Sequence, residues 1–128
     1  MIILNFSHPL TTNQITQIEH ITDQTVDTIH DLPAEFDNQA NFIPQLNDLM
    51  NRLPLKADEL QTAPILVNLP SLNFIAALVL SDLHGRMGYF PPVIRIYLVT
   101  DGFSQRYEIG EILNLQSVRD AARKQRFI

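Results

Sequence analysis

Two short polar blocks hold most of the residues in this chain that could do chemistry. The first is Asn5-Phe6-Ser7-His8 and the second is Asn68-Leu69-Pro70-Ser71-Leu72-Asn73. The amides of Asn5, Asn68 and Asn73 offer donors and acceptors that match a base edge or a ribose. Asparagine is equally common at strand ends and helix starts for local reasons. Ser71, placed ahead of a helix, would set a hydroxyl and free backbone N–H groups at the positive end of the helix dipole, a natural phosphate cradle. As an ordinary N-cap, the same hydroxyl would satisfy the backbone and nothing else. His8 beside Ser7 invites a general-base role, since histidine titrates near neutrality and could activate a ribose 2′-hydroxyl or a water. Against that, adjacent side chains point apart, and His8 precedes Pro9 in what also reads as a turn.

A third block, His84-Gly85-Arg86-Met87-Gly88-Tyr89-Phe90-Pro91-Pro92, combines glycines, an arginine and aromatics. Arg86 could touch a phosphate and Tyr89 could stack on a base. The plainer alternative is a glycine cap, with Gly85 ending a helix, followed by aromatics that plug the end of the core. No metal site is expected, because His8, His20, His30 and His84 lack ligand-like spacing and the chain has no cysteine. No cofactor is expected either. A Walker loop, GxGxxG and GxSxG are all missing from the sequence.

These blocks need elements to position them. Met1–Phe6 reads as a strand buried on both faces, because it barely alternates. Thr11-Thr12-Asn13-Gln14 fits a capping box, opening a helix with Ile15, Ile18 and Ile21 inward and an end near Asp23. Thr25–His30 alternates as a less buried strand, and Asp31–Asn41 is a polar connection. Phe42–Leu53 reads as a helix with Ile43, Leu46, Leu49, Met50 and Leu53 inside, followed by a short helix at Ala57–Gln61. Pro64–Leu69 is a third apolar strand, and Leu72–His84 a hydrophobic helix capped by Ser71. Val93–Val99 and Arg106–Leu113 form an antiparallel pair around Asp101-Gly102, and Asn114 or Ser117 opens a basic C-terminal helix.

Strand–helix alternation predicts an α/β fold, a three-layer sandwich around a mostly parallel five-stranded sheet with its last strand antiparallel. Apolar strands one and three belong in the middle and polar strand two at an edge, which gives the order 2-1-3-4-5. The strand order then reverses between strands one and three, and ligands of such sheets bind at the carboxyl ends beside that switch. The two polar blocks are those ends. The 84–92 block follows a helix and so lies at the opposite edge; it would reach this site only from a neighbouring subunit.

Composition bounds the function. With 128 residues, 45% of them hydrophobic, the chain suits one domain spanning residues 1–128. The net charge of −5 is uneven: residues 1–62 carry −7 and residues 63–128 carry +2. A broad positive surface for long nucleic acid is missing. The N-terminus lacks the features of a signal peptide and the longest apolar run, Phe74–Leu80, is too short to span a membrane, so a soluble, cytoplasmic protein is expected.

Four ordered stretches, Asn5–Leu10, Leu66–Asn73, His84–Pro92 and Glu111–Gln116, make the chain resemble a small family of ancillary proteins encoded beside type III CRISPR loci. The likeness covers nearly the whole chain, with Thr22–Gln61 contributing little. It implies a Rossmann-like fold and binding of cyclic tetra-adenylate, the second messenger of those systems. By the same resemblance Asn5, Ser7, His8, Asn68, Pro70, Ser71 and Asn73 are ligand contacts, with Arg86 and Tyr89 supplied by a neighbour in a dimer or head-to-tail filament. Three functions follow as expectations: sequestration of the ring that damps antiviral signalling, slow metal-independent ring cleavage with His8 as a weak candidate base, or a protein-interaction module without nucleotide. Cleavage needs only the 2′-hydroxyl held in line and charge stabilised.

Overall fold

The computed structural model describes residues 1–127. The chain runs β1 (Ile2–Asn5), α1 (Thr12–Thr22), β2 (Thr28–Asp31), α2 (Phe42–Met50), α3 (Ala57–Thr62), β3 (Ile65–Asn68), α4 (Asn73–Met87), β4 (Val93–Asp101), β5 (Ser104–Leu113) and α5 (Leu115–Lys124). Among these residues the sheet has five strands in the order β2-β1-β3-β4-β5. The first three pairings are parallel and β4–β5 is antiparallel. Both the α/β class and the order read from strand burial hold.

Layering follows from alternation along the central strands. Leu4, Ile65, Val67 and Val93 pack beneath α2, α3 and α4, against Leu49, Met50, Leu60, Ile75, Val79 and Leu83. Ile3, Leu66, Ile94 and Ile109 face the other way, onto Ile18 of α1. Covered on both faces, β1 and β3 can be apolar at nearly every position, which is the pattern they show. Each fully buried aliphatic side chain of this core contributes about 1.5–3 kcal/mol by leaving water.

Several local expectations need correction. Gly85 lies inside α4 and does not end it. The helix continues through Arg86 and Met87, and Gly88 terminates it in the left-handed conformation at φ 81°. Ser71 is not the cap of α4; that position is Leu72, which offers no side-chain acceptor. On α1, Ile18 is buried but Ile21 is 45% exposed, and Gln14 takes a buried place instead. Ile43 of α2 likewise points outward. The Thr11–Gln14 capping box is present as read, and Asn114 caps α5.

The strands differ in length, and this shapes the functional end. β3 stops at Asn68 and meets β4 at one register position, Val67 opposite Val93. β4 then continues to Asp101 with only β5 beside it, so the pair stands beyond the carboxyl edge as a two-stranded ribbon. A register shift between Arg95 and Ile96 leaves Gly110 as the extra residue on β5, a bulge that sharpens the local twist.

Candidate functional site

Asn5 organises the carboxyl edge. It ends β1, is fully buried, and uses its whole hydrogen-bonding capacity. Its Nδ2 donates to the His8 carbonyl at 2.9 Å and to Asp31 Oδ1 at 2.8 Å. Its Oδ1 accepts from the Ser7 backbone N–H at 3.1 Å and from Asn68 Nδ2 at 2.9 Å. One amide thereby fixes the ends of β1, β2 and β3 and folds the Ser7-His8 turn back on itself. The Phe6 N–H donates to the Asn68 carbonyl at 2.9 Å, closing the same junction through the backbone.

From this junction the turns after β1 and β3 run side by side. They line a crevice of about 710 Å³ with Ser7, His8, Asn68 and Ser71 among its walls. Leu10, Thr11 and Gln14, at the start of α1, form a second side, and Ile94, Arg95, Ile96 and Tyr107 of the ribbon form a third. A smaller cleft of about 150 Å³ adjoins it, sharing Ser7, His8 and Ser71 and adding Pro70, Glu35 and Ile75. The larger crevice lies within the range of small-ligand sites, about 300–1,000 Å³.

Gln14 couples two of these walls. Its Oε1 accepts from the Thr11 N–H at 2.9 Å, completing the cap of α1. Its Nε2 donates to the Tyr107 carbonyl at 2.9 Å. One turn along α1, Gln17 Oε1 accepts from the Ile109 N–H at 2.9 Å. The two glutamines occupy outward-facing backbone groups of edge strand β5, which both braces the ribbon and blunts an edge that would otherwise template pairing.

Polarity at the site is modest. The N-cap of α4, Leu72, has no side-chain acceptor and Asn73 Oδ1 takes only the Phe74 N–H, so the remaining first-turn N–H groups and the dipole face the carboxyl edge beside Ser71. The Arg95 guanidinium pairs with Glu111 at 2.7 Å and lies 5.6 Å from the Tyr97 ring centroid. Both partners of that ion pair are about half exposed, so it is weak and exchangeable. The His8 imidazole is exposed at the crevice lip, and the turn holds His8 through its carbonyl. Among the described residues no group of three or more His, Cys, Asp or Glu side chains converges on a metal-sized site.

Comparison with protein-family models, curated proteins and solved structures finds no match.

The structure thus brings Ser7, His8, Asn68 and Ser71 together and sorts the other expected contacts. Asn5 is saturated and buried, so it has no group left to offer a ligand and shapes the crevice through what it positions. Pro70 is buried on the smaller cleft. Asn73 opens α4 with its Oδ1 turned to the Phe74 N–H at 2.9 Å, a local bond, and lines neither cavity. Arg86 and Tyr89 lie at the amino end of the sheet. Arg86 Nε pairs with Asp82 one turn earlier at 2.5 Å, and Tyr89 lines a separate cleft of about 670 Å³ with Met1, Pro64 and Glu111. Burial raises the Tyr89 phenol above its ordinary pKa.

Sequence reasoning missed Gln14, Arg95 and Tyr107. Signals were present: Gln14 is the last residue of a capping box, and a strand longer than its neighbour must overhang it. Among the described residues no helix is long and apolar enough to cross a membrane.

Proposed function

We propose that the protein binds cyclic tetra-adenylate at the carboxyl-edge crevice and sequesters it, damping type III CRISPR antiviral signalling. The observation that carries this reading is the convergence of the turns after β1 and β3 on one crevice at the strand-order switch. The residue blocks behind the family resemblance, Asn5–Leu10 and Leu66–Asn73, are the segments that build it. The first-turn N–H groups of α4 that Asn73 leaves free suit phosphodiester oxygens, while Leu10, Leu69, Ile94 and Ile96 suit the faces of bases.

Sequestration is favoured over cleavage by the state of His8. A general base needs a second group to hold its tautomer and aim, and the His8 imidazole stands exposed with its backbone, not its ring, held by Asn5. A site that binds ground and transition states equally captures without turnover. One crevice accommodates part of a four-nucleotide ring, and the remainder is available to a second subunit, consistent with assembly on the ligand. Arg86 and Tyr89 sit at the end that a head-to-tail neighbour would bring to the ring.

Stoichiometric protein mixed with labelled ring, followed by separation of bound, free and cleaved species, tests the reading. Intact retention is expected. Linear products with cyclic-phosphate ends would make the protein a ring nuclease, and no association would leave a protein-interaction role. Light scattering during the same titration reports whether binding and assembly coincide.

A further inference from the structure

We infer that Tyr107 is a stacking platform for a nucleobase held in the crevice. The inference rests on the crevice being a nucleotide site and names the residue that makes it select an aromatic ligand. Register puts Ile96 opposite Ile109 and Leu98 opposite Tyr107, so these four side chains share the face of the ribbon turned toward α1. Along that stripe burial falls from Ile109 at 7% exposed to Tyr107 at 63% exposed. An apolar strip thus climbs out of the core beside the crevice and ends in an open aromatic ring.

The backbone that carries that ring is held. Gln14 grips the Tyr107 carbonyl and Gln17 grips the Ile109 N–H, each at 2.9 Å, so the backbone beneath the ring is tied to α1 at two points. Other aromatics of the ribbon do not meet the same conditions. Tyr97 has Arg95 over its ring on the opposite face, and Phe103 projects from the hairpin turn away from the crevice lining. A planar base laid on Tyr107 covers apolar surface of Tyr107 and Leu98 at reduced entropic cost, because the strand beneath them is already tied to α1 and an aromatic side chain has only two rotatable bonds to fix. Purines stack better than pyrimidines, which gives the site a reason to prefer adenine rings without reading their edges.

The test uses the intact chain with cyclic tetra-adenylate and cyclic tetra-uridylate as probes. Tyr107→Ala is expected to weaken cyclic tetra-adenylate binding by about 5- to 150-fold, the range for loss of one base–aromatic stack, while Tyr107→Phe stays within about 3-fold of the parent. The parent is expected to prefer the adenine ring, and Tyr107→Ala to lose that preference. Because the chain has three tyrosines and no tryptophan, tyrosine emission gives a second readout: quenching on binding that disappears in Tyr107→Phe. An unchanged melting curve for Tyr107→Ala excludes a folding defect. Binding by the parent that survives Tyr107→Ala overturns the stacking role and leaves the crevice reading intact. Failure of the parent to bind either ring overturns both.

Discussion

Asn68 Nδ2 donates to Asn5 Oδ1 at 2.9 Å, between two buried amides at the ends of neighbouring strands that stand opposite each other in register. This bond is where the sheet becomes a site. It fixes the separation of the two turns that line the crevice, and on the Asn5 side it draws on an amide that has no capacity to spare. Removing either amide therefore loosens the cavity as well as the fold.

Asn5→Ala is expected to cost about 2–3 kcal/mol in chemical denaturation, because it strands the Ser7 N–H, the His8 carbonyl and Asn68 together. Asn5→Asp keeps the acceptor but loses both donated bonds and brings a carboxylate against Asp31, so it is expected to be no milder at neutral pH. A denaturation midpoint unchanged by either substitution would show that the junction is held by the backbone alone.

Gln14→Ala removes the capping partner of Thr11 and the tether to Tyr107 in one step. A loss of about 1–2 kcal/mol is expected. Hydrogen exchange should accelerate selectively between Tyr107 and Ile109. Exposure of the β5 edge should also promote self-association at high concentration, visible by light scattering. Uniform exchange across the chain would argue against a local brace.

Two glycines of one helix are expected to respond with opposite sign. Gly85 lies within α4 with nothing within 4 Å of the position a Cβ would take, so Gly85→Ala should stabilise by about 0.5–1 kcal/mol. Gly88 sits at φ 81°, and Gly88→Ala should destabilise by about 1–2 kcal/mol. Thermal denaturation of the pair decides the matter, and the reverse order would return the helix end to Gly85.

Tyr89 has its phenol pKa raised by burial, so the folded state holds that proton longer than the unfolded chain does. Its contribution to stability is complete below the unfolded pKa of about 10 and declines as pH rises from there through the folded value. Absorbance titration should show one late-ionising tyrosine that Tyr89→Phe removes. Its retention in Tyr89→Phe would contradict the assignment to Tyr89.

How much of this was legible in the sequence depends on the length scale of the signal. The apolar runs of β1 and β3 set their central places, and the polar β2 its edge, because burial on two faces disfavours polar side chains that find no hydrogen-bond partner. From that order the location of the crevice follows. Cap positions were less legible: Ser71 and Gly85 have the right chemistry one and three residues from where Leu72 and Gly88 do the work, and local preference cannot resolve such offsets. The third wall was missed for a different reason. Gln14 bonds Tyr107 across 93 positions of sequence, and the overhang of β4 depends on the lengths of two strands compared, not on any motif.

Binding of cyclic tetra-adenylate by the parent chain and by Ser71→Trp, measured side by side by calorimetry, tests the placement of the site most directly. Ser71 is exposed, lines both adjoining cavities and is not the cap of α4, so its replacement fills the crevice without undoing the fold. The expected result is stoichiometric binding by the parent and a loss of at least about 10-fold in Ser71→Trp, equivalent to about 1.4 kcal/mol. Equal affinity in the two proteins, or no heat of binding in the parent, would contradict it.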